Sequence, residues 1–158
     1  MRIDWLSAHP RHAAALARAH VAAFGALLPD WTVAEALAEL RSHDRPATIP
    51  STLVALDGGG GWLGSVSLLA EDHSDIPQYS PWLASLYVRP EARGRGVGRA
   101  LVARAVAEAG ALGTRTLYLY CASDMAVWYR GLGWREHEVL RLGPLLVHVL
   151  ATDCLEHA

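Results

Sequence analysis

Residues 82–120 constrain the fold of this chain more than any other stretch, because they set a strand, a helix and a second strand in one order. Trp82 to Val88 is a near-continuous apolar run, the signature of a central strand covered on both faces. The turn Arg93-Gly94-Arg95-Gly96-Val97-Gly98 then leads straight into an amphipathic helix from about Val97 to Leu112. Its inner stripe reads Leu101, Val102, Ala105, Val106, Ala109 and Leu112, and Gly113 ends it. Thr116 to Tyr120 reads as the next strand, parallel to the first through a right-handed crossover. The turn presents backbone N–H groups at a helix N-terminus, where an anion is favoured, and Arg95 and Arg99 add positive charge. A phosphate-bearing ligand is therefore expected.

The spacing Arg93-x-x-Gly96-x-Gly98 is a weak signal by itself and gains weight from its place between a strand and a helix. It is not a P-loop, since no Gly-Lys-Ser/Thr follows. Nor is it a dinucleotide fingerprint. The glycines fall at 94, 96 and 98, and no acid stands at the end of the next strand to hold a ribose.

Around this unit, strands and helices alternate. Ile3 to Leu6 suggests a short first strand. Residues 11–24 suggest a helix with Ala13, Leu16, Ala17, His20 and Phe24 on one face, broken by Pro29. Thr32 with Glu35 three residues on forms a capping-box pattern for a helix to about Ser42, and Pro46 and Pro50 follow it. Thr52 to Leu56 and Trp62 to Ala70 read as an antiparallel hairpin joined by the flexible segment Asp57 to Gly61. Glu71 to Ser80 is acidic and polar, a loop. A short helix from about Ser123 to Arg130 and two strands, Trp134 to Leu140 and Leu145 to Leu150, complete the chain around the turn at Gly143-Pro144. With 158 residues, no repeats and no linker, one domain over 1–158 is expected.

Composition narrows the function. Apolar residues make up 52% and charged residues 19%, a globular balance. A net charge of −2 gives no support for nucleic-acid or membrane binding, and the arginines between Arg89 and Arg104 mark a local anion site. No apolar run reaches membrane-spanning length, and the N-terminus lacks the apolar core of a signal peptide. Cys121 and Cys154 are too few for a disulfide framework, so a reducing, cytoplasmic setting is expected. The eight histidines lack metal-ligand spacing, so no metal is expected.

Taken together, Trp82-Leu83-Ala84-Ser85-Leu86-Tyr87-Val88, the Arg93–Gly98 turn and Trp128-Tyr129-Arg130-Gly131-Leu132-Gly133-Trp134 resemble the GNAT superfamily of acetyl-CoA-dependent N-acetyltransferases. The resemblance is clear over about residues 48 to 150 and points to a broad bacterial-type branch that fixes no substrate. It implies an α/β fold: a mixed, mostly antiparallel sheet of about six to seven strands with a splayed parallel pair, flanked by about four helices. It also implies acetyl-CoA as cosubstrate. Main-chain groups of Leu86, Tyr87 and Val88 would meet pantetheine, and an amide near Ser85 to Leu86 would polarise the thioester carbonyl. Arg93, Gly94, Arg95, Gly96, Val97, Gly98 and Arg99 would hold pyrophosphate. Relatives carry an Asn before the tyrosine that contacts pantetheine; here the region reads Ala122-Ser123-Asp124, and Ser123 is the best substitute.

The chemistry of amine attack on a thioester asks for an oxyanion stabiliser and a proton for the thiolate. A phenol with a pKa of about 10 can donate that proton while staying un-ionised at neutral pH, which suits Tyr129 as general acid. The alternative is a core aromatic beside Val127 and Trp128. For the base, Glu71 and Asp72 lead over His73 and Asp75; all four stand near the end of the strand beside the splayed one. These acids also attract a cationic amine. Trp31, Trp62, Trp82 and Trp134 offer apolar or cation–π walls, each with ordinary core packing as the alternative. Cys121, after a strand, is expected to be buried, and a cysteine acyl-enzyme is not expected. The reading is thus direct acetyl transfer to a small-molecule or peptide amine. Its rivals are a protein or peptide N-terminal acetyltransferase of the same fold and a non-catalytic acyl-CoA sensor. A homodimer through the last strands is a further expectation.

Overall fold

The protein is described here from a computed structural model, which places residues 1–155 except 26, 27 and 29. Pro29, expected to end the first helix, lies outside the described residues. The elements are β1 (Arg2–Trp5), α1 (Ala13–Phe24), α2 (Val33–Ser42), β2 (Ser51–Leu56), β3 (Trp62–Leu69), β4 (Trp82–Val88), α3 (Val97–Ala111), β5 (Thr116–Cys121), α4 (Ser123–Gly131), β6 (Arg135–Leu142) and β7 (Leu145–Asp153). The seven strands form one sheet in the order β1-β2-β3-β4-β5-β7-β6. Every neighbouring pair is antiparallel except β4 and β5. The expected architecture, a mixed sheet with one parallel pair and four helices, is what the chain adopts.

Alternation along β2 explains why its sequence reads as continuous apolar. Leu53 and Ala55 enter the core under α3, whereas Val54 and Leu56 enter the core under α1 and α2. The α3 core also takes Val66, Leu83, Leu101, Leu117, Leu119, Leu150 and Tyr129. Beneath β4, β5 and β7, a third cluster is covered by the loop after β3, which contributes buried Ile76 and the ring of Tyr79.

Local signals set most of the boundaries. Thr32 caps α2 as expected: its Oγ1 accepts from Glu35 N–H at 3.1 Å, and its own N–H donates to the Glu35 carboxylate at 3.2 Å. Tertiary pairing moves others. β7 runs on to Asp153 because it pairs along the whole of β5, Thr116 opposite Asp153 and Cys121 opposite His148. β5 therefore includes Cys121, which the sequence had placed after the strand. α1 starts at Ala13, since Pro10–His12 forms a 3-10 turn. Leu112, expected on the inner stripe of α3, is 43% exposed at the helix end. Among the described residues, no helix is long and apolar enough to cross a membrane.

Candidate active site

The site begins with a failure of two strands to stay together. β4 and β5 are registered at one pair only, Trp82 opposite Tyr118, beside a bond from Tyr118 N–H to Pro81 C=O at 3.1 Å. Beyond that point they diverge toward their C-terminal ends. On its other edge β4 is bulged: Ser67 pairs Ala84 and Ser65 pairs Tyr87, so Ser85 and Leu86 together oppose Val66. Ser85 sits at φ 55, a strained value for a side-chain-bearing residue. The bulge takes main-chain groups at Ser85–Leu86 out of the ladder, next to the gap.

A cavity of about 470 Å³ fills this opening. Leu83 to Leu86 and Leu119 to Ala122 form its sides, and Tyr129 and Asp124 of α4 close one end. Phe24, Leu28, Trp31 and Glu39 come from the α1–α2 segment, and Leu69, Glu71 and Asp72 from the end of β3. Ser80 Oγ donates to Ala70 C=O at 2.6 Å and closes the base of the loop that carries both acids.

Tyr129 is 5% exposed, and its ring is held between Trp128 and Trp134, with centroids at 4.9 and 5.9 Å. Burial, with a smaller contribution from the Cys121 thiol, pushes its phenol above the ordinary tyrosine range, so it keeps its proton. Asp72 is half-buried, and its carboxyl is raised to about 7 by burial first and by the Glu39 carboxylate second. Cys121 lines the same cavity half-buried; burial pushes its thiol up to about 11. A protonated thiol is a poor nucleophile.

The turn before α3 combines two features that suit an anion. Gly94 and Gly96 stand at φ 76 and 81, and a Cβ at either would meet nothing within 4 Å. The first bond of α3 runs from Ala100 N–H to Gly96 C=O, so the amides of Val97, Gly98 and Arg99 have no intrahelical partner. Arg95 and Arg99 are exposed and form no ion pair among the described residues. Arg93 behaves differently: its Nε donates to Val88 C=O at 2.9 Å, and its guanidinium lies over the Tyr87 ring. That ring packs toward Trp62 and His20, on the α1 side of the sheet. Tyr87 therefore has only its main chain to offer a ligand in the gap.

A family model described as an acetyltransferase (GNAT) domain matches residues 50–136, from β2 through the turn and Tyr129 to the start of β6. The chain belongs to the GNAT acetyltransferases. It is thus an acyltransferase of a family that uses acetyl-CoA. Solved structures share the fold of this GNAT chain. A putative acetyltransferase from Salmonella typhimurium, with its cofactor acetyl-CoA, is 21% identical over 100% of this chain and 96% of that one, at a TM-score of 0.72. A chimera of the Vibrio cholerae spermidine N-acetyltransferase SpeG and hSSAT is 20% identical over 99% and 98%, at a TM-score of 0.70. An N-acetyltransferase from Staphylococcus aureus Mu50 is 21% identical over 78% of each chain, at 0.61. A sequence comparison with curated proteins finds no significant match.

Of the residues singled out in sequence, the GNAT fold brings Tyr129, Glu71, Asp72 and Leu86 to one cavity, with Trp31 as a wall. Trp82 is core, and Trp62 stacks under the Arg89 guanidinium at 4.4 Å. His73 packs against Tyr120, and Asp75 is exposed. Ser123 turns its hydroxyl away, 2.9 Å from His148 Nε2, and does not line the cavity; Ala122 does. Glu39 and Asp124 were missed. Glu39 lies between the buried positions Ala36 and Leu40 of α2, at the edge of the apolar stripe, where the sequence carries no sign of a site.

Proposed function

We propose that this protein moves an acetyl group from acetyl-CoA to a primary amine of a small molecule or peptide, by direct attack in a ternary complex. The observation that carries the reading is the convergence of Tyr129, Asp72 and the bulged edge of β4 on one cavity. Acetyl-CoA, when bound, supplies an acetyl group activated as a thioester. The cradle of free amides and open space at residues 94–99 fits its pyrophosphate, and the unpaired edge of β4 from Leu86 to Val88 fits its pantetheine arm.

Each residue then has a distinct task. Asp72, near half-ionised at pH 7, takes a proton from the incoming ammonium, and Glu71 stands beside it as the alternative base. Main-chain donors at the Ser85–Leu86 bulge face the carbonyl oxygen, where negative charge develops. Tyr129 O–H gives its proton to the departing sulfur. Burial and the Glu39 carboxylate raise Asp72 only to about 7, where it can still accept a proton, while burial raises Tyr129 far enough that it keeps its own.

The cavity favours a small acceptor over a protein N-terminus. It lies within the roughly 300–1,000 Å³ range of small-ligand pockets, and among its described lining residues none comes from β6 or β7. The two unpaired cysteines fit a reducing, cytoplasmic setting, with one domain over residues 1–158. The test is a calorimetric titration with acetyl-CoA and NAD, followed by CoA-release assays on an amine panel. Micromolar acetyl-CoA binding without NAD binding, and turnover with an amine, is the expected result. Turnover without dependence on Tyr129 would remove the general-acid assignment, and acetyl-CoA binding without turnover on any amine would favour a sensor.

A further inference from the structure

We infer that the acceptor carries a second cationic centre and that Glu39 on α2 is the residue that selects it. This rests on the N-acetyltransferase reading above and concerns the same cavity. Four carboxylates line it: Glu39 from α2, Glu71 and Asp72 from the end of β3, and Asp124 from α4. No arginine or histidine stands among the described lining residues. None of the four joins an ion pair among the described residues, although seven such pairs form elsewhere. The hollow thus gathers four carboxylates, Asp72 half-buried and Glu39, Glu71 and Asp124 exposed, with no paired cation among the described residues, an arrangement that favours a cationic ligand.

The charge requirement is more specific than attraction of any amine. The attacking nitrogen has to be neutral, and carboxylates around a lone ammonium hold it in the charged form and raise its pKa. A monoamine would therefore bind well and react poorly. A diamine escapes the conflict. Its second ammonium stays charged against Glu39, and as a like charge it lowers the pKa of the nitrogen that must react. Glu39 and Asp72 line the same cavity, and the Glu39 charge helps raise the Asp72 carboxyl, so one diamine can meet both. Phe24, Trp31 and Tyr120 supply aromatic faces for the methylenes between the two nitrogens and for the cation itself.

The experiment compares butylamine with 1,4-diaminobutane, amines of the same chain length that differ in one ammonium, at saturating acetyl-CoA. The wild type is expected to prefer the diamine in kcat/KM by on the order of 10²-fold. Glu39→Gln, a change of charge without change of shape, is expected to cut that ratio at least about tenfold, mainly through KM for the diamine. Asp44→Asn, exposed beyond the end of α2, makes the same change in net charge and is expected to leave the ratio in place. A wild-type ratio within about threefold, or a ratio that Glu39→Gln does not move, overturns the inference while leaving the transferase reading intact. If acetyl-CoA binds but neither amine is acetylated, the wider amine panel decides the transferase reading separately. Calorimetry of the diamine into wild type and Glu39→Gln then decides the inference: weaker binding to the variant supports it, and equal binding or none overturns it.

Discussion

Ser123 Oγ and His148 Nε2 stand 2.9 Å apart and join the first residue of α4 to β7. The other nitrogen of His148 meets the Glu136 carboxylate on β6, and Arg130, one residue after Tyr129, reaches the same carboxylate at 3.6 Å. Both ends of α4 are thus tied to one side chain. This matters because the α4 N-cap, Ala122, has no side chain that can cap the helix. Glu136→Ala is expected to destabilise the fold by about 1–2 kcal/mol, chiefly through the hydrogen bond to half-buried His148 and little through the exposed arginine pair. Scanning calorimetry should show a Tm lower by roughly 2–8 °C.

Tyr129→Phe removes one oxygen and keeps the ring between Trp128 and Trp134. It is expected to lower kcat by about 10²–10⁴-fold and to leave the Kd for acetyl-CoA within a factor of about three. A variant with unchanged kcat would show Tyr129 to be a packing residue only.

Asp72, raised to about 7, should appear in the pH dependence of kcat/KM. A base is active when deprotonated, so the rate is expected to rise with pH through about 7 and then level. Asp72→Asn is expected to lose that limb and most of the rate. Survival of the limb in the variant would move the base to Glu71 or to water.

His20 is 2% exposed, faces Ser65 Oγ at 3.0 Å, and is held neutral by burial, its pKa lowered from 6.5 to about 4. The unfolded chain binds the extra proton first. The His20 contribution is therefore fully present above pH 6.5 and lost as pH falls toward 4, by about 3 kcal/mol over that window. Raised Asp72 works in the opposite sense over part of the same range. The clean measurement is the difference in urea unfolding between wild type and His20→Gln at pH 7 and pH 4.5, where the variant should lose less.

Gly64 stands where β3 passes the splayed strand. A Cβ there would lie 2.5 Å from Tyr87 C=O and 3.2 Å from Val88 Cα, both backbone atoms that cannot swing aside. Gly64→Ala is expected to cost about 1–3 kcal/mol and to weaken acetyl-CoA binding, since it pushes on the edge of β4 proposed to pair with pantetheine. Wild-type stability and affinity in the variant would show that the strands can separate without consequence.

The order of strands and helices, the Gly94–Gly98 turn, the Thr32 cap and the position of Tyr129 were all legible in the chain, because each depends on residues a few places apart. Periodicity decides which face of α3 is buried, left-handed glycines decide the turn, and a Thr–Glu spacing decides the start of α2. Tertiary packing decided the rest. The Ser85 bulge arises from cross-strand register, and no local preference of serine announces a φ of 55. His148 on β7 comes within 2.9 Å of the Ser123 hydroxyl, a partner that strand pairing supplies and the local sequence does not announce. Glu39, Asp72 and Asp124 are spread over 86 positions of sequence and meet in one cavity because α2, the β3 loop and α4 all end at the gap between β4 and β5. Local interactions wrote the elements; the charge of the site belongs to their assembly, since long-range packing alone sets which acids share one hollow.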